Sequence, residues 1–407
     1  MAISKRGKDK FTIDIHLGLN SEGKQIRKSL TFYGSKTEAR AKERELKQQY
    51  LSGNLTQIKS VTFQDFTNLW LAEYACKKEP KTLHRYKELL ELRITPSLGH
   101  IRLDKLLPMH IMKFINDLEK APRLDGKEGT LSSTTVLHHF RLINTILNCA
   151  VQLGYISSNP ANKIEKPKRI PKDILYFDEE QSQRFISILS GEDIMYQALI
   201  TLMLETGARR GELLALGWDD IDFNACTVII NKSNQYIAGK GIFTKNPKTE
   251  SSNRINTLSS TVIELLKVLK TSKSKDKLKL GDKWKNSKNI FTTCNGASMH
   301  PDTITRYLPK LIKRYNKSIE MDPSLNEEAK KNLYLPTITP HCLRHTSATL
   351  LINSGINTKT VSSRLGHKNI STTMDIYAKA LKSSDKEASN RIEEILTPII
   401  KKSSDAM

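Results

Sequence analysis

Along the first fifty positions, apolar residues fall on alternate sites. In KFTIDIHLGL, Phe11, Ile13, Ile15 and Leu17 take every second place, the period of a half-buried strand. NSEG supplies turn residues, and KQIRKSLTFY reads as the next strand or strands. SKTEARAKERELKQQYL then predicts a helix, with Ser35 as N-cap and Glu38 three residues on, a reciprocal capping box. One short sheet and one helix bury little surface, so residues 1–57 are expected to form a small separate module.

From Val61 the spacing changes to three and four. TFQDFTNLWLAEYA sets Phe63, Phe66, Leu69 and Trp70 on one helical stripe. KTLHRYKELLELRITPSLG repeats the pattern and is expected to end at Pro96 and Gly99. MHIMKFINDLEK predicts a third helix and SSTTVLHHFRLINTILNCAVQLG a long fourth, closed by Gly154. Residues 58–160 thus predict a helical bundle. NPANKIEKPKRIPKD, with three prolines and five basic residues, reads as an extended linker over 161–173.

Residues 174–385 predict the largest domain, mixed in character. DEEQSQRFISILS, DIMYQALITLMLETG and SSTVIELLKVLK are helical; CTVIINKSN, GIFTKN and NRINTLS are strand-like. TSKSKDKLKLGDKWKNSK is Lys-rich without strong periodicity and is expected to be a loop, solvated or lying on a polyanion. Residues 386–407 form a tail, entered through a capping box made by Ser384 and Glu387. Ala388, Ile392, Ile395, Leu396 and Ile399 make an apolar stripe there, which docks on its own domain or on another protomer. The fold class is therefore mixed and mainly α: a small sheet-plus-helix module, a helical bundle, and a larger α+β domain with a small antiparallel sheet.

Charge changes the picture. The 407 residues carry 65 Lys and Arg against 43 Asp and Glu, a formal net charge of +22, which recruits polyanions through counterion release. The basic N-terminal module then reads as a DNA-reading appendage or as a solvated cap. No run of about 18 apolar residues occurs, and MAISKRGKDKF lacks the apolar core of a signal peptide. A cytoplasmic protein with no membrane partner is expected. The five cysteines, Cys76, Cys149, Cys226, Cys294 and Cys342, form no CxxC, which disfavours a zinc ribbon or a disulfide framework; buried, reduced thiols are expected. AGKGI is too short for a phosphate-binding loop.

Four stretches could carry chemistry. In PHCLRHTSATLL, Thr339 is the expected N-cap and Pro340 the first helical residue. His341, Arg344 and His345 share one face near the free N–H groups, and Leu350 and Leu351 are expected to be buried. Two histidines four apart resemble half of a zinc site. However, Cys342 stands where the glutamate of such a motif belongs, and Arg344 would sit beside the dication, so an anion is preferred to a metal. In ETGARRGELLALGWDDIDF, Glu212 lies three residues after Arg209 and is placed to orient its guanidinium. In KNPKTESSNRI, Lys248 is near the tip of a turn between two strand-like runs, read as a hairpin. In VSSRLGHKNISTTMDIYAKAL, Gly366 ends a short helix, His367 follows, and Ser371 or Thr372 caps a helix carrying Tyr377. Each has an ordinary reading: a capped helix, a surface ion pair, a solvated lysine, a packing tyrosine.

In this order and within one domain of a basic protein, TGARRGE, PKT, HCLRH, LGH and the later Tyr377 resemble the active-site motifs of the tyrosine recombinase, or phage-integrase, family. The resemblance covers about residues 174–385 and fills all six active-site positions. Residues 58–160 look like that family's core-binding domain. Residues 1–57 resemble the arm-binding domain of integrases from temperate phages and conjugative transposons, mostly by layout.

The resemblance implies a site-specific DNA recombinase that works through a 3′-phosphotyrosine, without metal or cofactor. Tyr377 would be the nucleophile. Arg209 and Arg344 would grip the phosphorus oxygens. His341 would be the general base, Lys248 the acid to the leaving 5′ oxygen, and His367 a donor to a phosphate oxygen. Glu212 would orient Arg209, and His345 would serve support or packing. It further implies double-stranded attachment sites as partners and a homotetramer on DNA. An excision factor, a host DNA-bending protein and a nucleoid-associated location in a bacterial cell complete the expectation. Two other classes stay in view. A type IB-like topoisomerase would use a similar residue set, and a DNA-binding regulator would hold the site idle.

Overall fold

The alternation at the N-terminus is that of a real strand: Phe11 and Ile13 are buried, at 5% and 0% exposure. The computed structural model describes residues 2–7, 9–19, 25–51, 61–170, 175–245, 253–285, 287–367, 369–371 and 373–374. It divides into two units, 1–172 and 173–407.

The first unit opens with β1 (Ala2–Gly7), β2 (Lys10–Leu19) and β3 (Gln25–Tyr33), an antiparallel sheet in that order. Helix α1 (Lys36–Leu51) follows. Ser35 N–H donates to Glu38 Oε2 at 2.7 Å and Ser35 Oγ accepts from Glu38 N–H at 3.3 Å, so the capping box forms. The core here is small: Ile13 and Leu46, with Ile3, Leu30 and Phe32 against them.

The helical part of this unit comprises α2 (Phe63–Glu73), α3 (Pro80–Leu89), α4 (Thr95–Leu98), α5 (Pro108–Lys120) and α6 (Ser133–Gln152). Phe63, Phe66 and Trp70 are buried as their spacing requires, whereas Leu69 is 39% exposed and lies off the stripe. Pro96 does not end its helix. Leu90–Ile94 forms one π-helical turn between α3 and α4, and the chain stays helical to Leu98; the wider turn relieves the clash of a proline ring with the preceding turn. Gly154 adopts φ +73° and donates to the Val151 carbonyl at 3.0 Å, closing α6 as expected. The chain stays fixed beyond that point. Asn159 donates to Asn144 Oδ1 and Asn148 Oδ1, both at 2.7 Å, and accepts from Ala161 N–H at 2.8 Å. Ala161 packs into the helical core, so the linker stretch begins as part of the bundle.

The second unit runs α7 (Glu179–Leu189), α8 (Ile194–Thr206), α9 (Arg210–Leu213), β4 (Ile221–Asp222), β5 (Thr227–Ile230), β6 (Ser233–Ile237), β7 (Gly241–Lys245) and β8 (Arg254–Thr257). It continues with α10 (Ser260–Leu280), α11 (Pro301–Glu320), α12 (Glu327–Leu333), α13 (Pro340–Asn353) and α14 (Thr358–Leu365). One antiparallel sheet has the order β4-β5-β8 and a second is β6-β7. The runs flanking Lys248 therefore belong to different sheets, and the hairpin reading of KNPKTESSNRI is corrected: β7 pairs with β6, and β8 pairs with β5. The core centres on α8, whose Leu199, Ile200, Leu202 and Met203 share one buried cluster with Leu266, Leu269, Leu308 and Leu343.

The Lys-rich stretch from Thr271 is not a loop as far as Leu280; it is the second half of α10. Lys and Leu favour helix even with little apolar burial: Leu278 is 84% exposed, while Lys273 is half-buried and donates to the Thr292 carbonyl at 3.3 Å. Thr271 and Ser274 hydroxyls fold back onto the Lys267 and Lys270 carbonyls. The half-buried positions of this stretch ahead of Leu280, namely Ser272, Lys273 and Asp276, are polar, so it has no apolar period to read.

Of the five thiols only Cys149 is buried. Cys76 and Cys294 are exposed, and Cys226 and Cys342 are intermediate, against the expectation of buried thiols throughout. Among the described residues no helix is long and apolar enough to cross a membrane. The tail from 386 lies outside the described residues.

Candidate active site

The buried body of α8 ends at Gly207, which adopts φ +58°, a left-handed conformation that glycine takes without a Cβ penalty. Space also requires glycine. A Cβ there would lie 2.2 Å from Leu365 Cδ2 and 3.3 Å from Ser347 Oγ, so α8, α13 and α14 converge on this residue. The turn delivers Arg209 to the position just before α9. Its side chain is 46% exposed and its Nη1 donates to Glu212 Oε1 at 2.9 Å. Arg209 N–H donates to Glu212 Oε2, also at 2.9 Å. Arg210 turns instead to Asp302 and Thr305 on α11.

Glu212 is 8% exposed. Burial pushes its carboxyl up, but the charge and hydrogen bond of Arg254, joined by Arg209, outweigh that and hold it below the usual carboxylate range. Arg254 Nη2 donates to Glu212 Oε2 at 2.7 Å, with the arginine side chain only 6% exposed.

Helix α13 begins with Pro340 at its first position, as expected, although Thr339 forms no side-chain cap; its hydroxyl lies 3.2 Å from Cys342 Sγ instead. Arg344 is 2% exposed. Its Nη1 donates to the Gly207 carbonyl at 2.8 Å, which brings the two arginine motifs together, while its buried Nη2 has no hydrogen-bond partner among the described residues. Burial and then the charge of Arg209 push the guanidinium down to about 9. His341 keeps an exposed face and packs edge-on to His345, ring centroids 4.7 Å apart. Desolvation, then the charges of Arg344 and Arg209, hold His341 below the ordinary imidazole range. Leu350 and Leu351 are half-buried rather than buried; Ile352 takes the inner position.

His367 follows Gly366, the left-handed end of α14. Its Nδ1 lies 2.8 Å from Thr373 Oγ1, and Thr373 is wholly buried. Burial, then Arg344 and Arg209, push His367 down to about 4. The site thus gathers Arg209, Glu212, His341, Arg344, His345 and His367 around one electropositive spot, with the imidazoles of His341 and His367 held below their ordinary range. Such a set can bind an oxyanion through two guanidinium forks and still hold or give up a proton. Among the described residues no cluster of three or more His, Cys, Asp or Glu side chains is placed to hold a metal ion. Lys248 and Tyr377, and the Thr372 of the expected cap, lie outside the described residues.

Sequence reasoning missed three members of this region. Arg254 and Asn256 sit on one face of β8 and are withdrawn from solvent, whereas Ile255 between them is 68% exposed. That inversion of a strand's usual pattern is a property of the fold that the sequence does not state. Thr373 carried no signal of its own.

Residues 176–384 match the phage integrase family, and residues 62–119 match the phage integrase N-terminal SAM-like domain. The chain is 30% identical to a tyrosine recombinase XerC-like protein of Caldanaerobacter subterraneus, over 96% of this chain and 97% of that protein. Its fold is similar to that of the Tn1549 transposon integrase solved with transposon right end DNA: TM-score 0.65, 23% identity, covering 82% of this chain and all of the other. It is also similar to a lambda integrase solved as a tetramer bound to a Holliday junction: TM-score 0.51, 16% identity, covering 90% and 95%.

Proposed function

Because the chain belongs to the phage integrase family, and is a tyrosine-type site-specific DNA recombinase that integrates and excises mobile elements, we propose that the cluster around Arg344 is its catalytic centre and Tyr377 its nucleophile. The observation that carries this reading is Arg344 itself. A guanidinium 2% exposed, with an N–H that finds no acceptor among the described residues, is costly to leave unpaired. A phosphate oxygen is the acceptor that offsets the cost.

In the step, the Tyr377 phenolic oxygen attacks the scissile phosphorus and the bond to the 5′ oxygen breaks. The phenol proton passes to His341, held neutral by its surroundings and so able to accept it. Lys248 gives a proton to the departing 5′ oxygen. Arg209 and Arg344 offer paired donors to the non-bridging oxygens as charge builds on them. His367 donates through Nε2 when Thr373 donates to Nδ1. Glu212 orients Arg209, and His345 supports His341. The phosphodiester is kept as a 3′-phosphotyrosine, so the attack of a 5′ hydroxyl rejoins the strand without a cofactor.

The layout supports further assignments: residues 1–57 contact arm-type DNA, 58–160 contact the core site, 174–385 carry catalysis, and 161–173 link the core-site and catalytic domains. Four protomers act on paired double-stranded attachment sites. The tail from 386 packs within this assembly, and an excision factor and a host DNA-bending protein set direction. The protein works on the nucleoid of a bacterial cell.

The test is incubation with a nicked duplex spanning the junction between the element and its flanking DNA. Wild-type protein should be trapped as a covalent complex, and Tyr377→Phe should give none. Covalent capture by Tyr377→Phe would refute the assignment. Recombination of paired sites, measured beside relaxation of a supercoiled plasmid, separates recombinase from topoisomerase action.

A further inference from the structure

Arg254 is not one of the residues assigned to chemistry above, yet it touches both halves of the site. Its Nη2 donates to Glu212 Oε2 at 2.7 Å, and Glu212 Oε1 in turn receives Arg209 at 2.9 Å. Its Nε donates to the carbonyl of Arg364 at 2.9 Å, in the last turn of α14. The guanidinium also lies against Gly366: a Cβ on that residue would meet Arg254 Nη1 at 2.9 Å and Cδ and Cζ at 3.2 Å. His367 is the next residue. One buried cation on β8 therefore supports the carboxylate behind Arg209 and the turn before His367.

A neighbour on the same strand face reinforces it. Asn256, 2% exposed, donates to the Arg364 carbonyl at 3.1 Å and to the Thr206 carbonyl at 3.3 Å, tying the end of α14 to the end of α8. A buried arginine–glutamate pair is often no better for stability than an apolar pair of similar volume, so stability alone is a weak reason for it. Geometry is a stronger one. Arg254 shares Oε2 with the Arg209 N–H, and the two donors together resist turning of the Glu212 carboxylate and keep Oε1 where Arg209 Nη1 meets it.

We infer that Arg254 is a positioning residue that holds Arg209 and His367 in register, through Glu212 on one side and the Arg364–Gly366 turn on the other. It touches neither DNA nor the reacting atoms. The inference rests on the catalytic reading of Arg209 and His367.

The experiment uses the full chain and the nicked junction duplex in single turnover. Arg254→Met and Arg254→Lys are compared with wild type for DNA affinity, for the rate constant of covalent-complex formation and for its amplitude. Positioning predicts unchanged affinity, a rate constant lower by about 10- to 100-fold in Arg254→Met and a smaller loss in Arg254→Lys. Added to Glu212→Gln or to His367→Asn, Arg254→Met should slow the reaction by less than it does alone, because the residues act as a unit. A purely structural role would lower the amplitude and the melting temperature and leave the rate constant unchanged; that result overturns the inference. So does failure of both variants to fold by circular dichroism, which would assign Arg254 to the fold alone. If wild type forms no covalent complex, the catalytic reading falls and this inference with it. If wild type reacts and Arg254→Met matches it, only this inference falls.

Discussion

Arg344 Nη1 donates to the carbonyl of Gly207 at 2.8 Å, so the helix that brings two histidines is pinned to the turn that brings Arg209. The pin is made with a charge the fold pushes down to about 9. Arg344→Met should therefore leave stability within about 1 kcal/mol of wild type, or raise it, since it replaces a poorly compensated buried cation by an apolar side chain. The same variant should lose about 100-fold or more in covalent-complex formation, the usual cost of removing a transition-state donor. Thermal melting and single-turnover cleavage measured side by side check both halves.

Gly207→Ala should behave in the opposite way. The added Cβ meets Leu365 Cδ2 at 2.2 Å on a backbone at φ +58°. The left-handed strain and the overpacking together should cost about 2–4 kcal/mol, read as a lower denaturant midpoint at an unchanged m-value. A variant as stable as wild type would mean that the turn has room the geometry denies.

His367 gives a pH dependence whose sign is fixed. Its ordinary value of 6.5 falls to about 4 in the folded chain, so between those values the unfolded chain binds more protons. Stability should be full above about 6.5 and should be lost as pH falls toward 4, by on the order of 2 kcal/mol. His341 adds to the loss in the same direction. His367→Asn should flatten the curve of melting temperature against pH; an unchanged slope would remove His367 as its source.

Thr373→Val keeps the shape of a fully buried side chain and removes the hydroxyl 2.8 Å from His367 Nδ1. With no partner to select the tautomer, cleavage should slow by about 10-fold, while DNA affinity, measured by fluorescence anisotropy, stays as it was.

In the helical part, Asn159→Ala removes the side chain that joins α6 to the chain leaving it. It would leave Asn144 Oδ1, Asn148 Oδ1 and Ala161 N–H each without a partner now held at 2.7–2.8 Å. The expected cost is about 2–3 kcal/mol in chemical denaturation of the full chain.

What could be read from the sequence divides along physical lines. Local signals were legible: the Ser35–Glu38 box, Gly154 after α6, Pro340 opening α13, and Gly366 closing α14. Each depends on a few neighbouring residues and one backbone conformation. Partners in space were not. Nothing in KNPKTESSNRI states that the strands on either side belong to different sheets, because pairing is decided by β5 and β6 earlier in the chain. The helix over Thr271–Leu280 was hidden because its half-buried positions ahead of Leu280, namely Ser272, Lys273 and Asp276, are polar and leave no apolar face to mark it.

The candidate site divides in the same way. Arg209, Glu212, His341, Arg344 and His367 could be singled out because they stand in short motifs. Arg254 and Thr373 could not, because what defines them is the residue they touch rather than the residues beside them in the chain. For Arg254 the sequence misleads, since β8 turns Ile255 toward solvent and its polar residues inward.

The compressed protonation equilibria of Arg344 and His367 have a consequence for DNA capture itself. An arriving phosphate brings negative charge to both groups, so each would hold a proton more tightly in the complex than in the free protein. Binding is then coupled to proton uptake by His367 on the acid side and by Arg344 on the alkaline side. Its measured heat should change with the ionisation enthalpy of the buffer, making the recombinase's first step visible to calorimetry before any strand is cut.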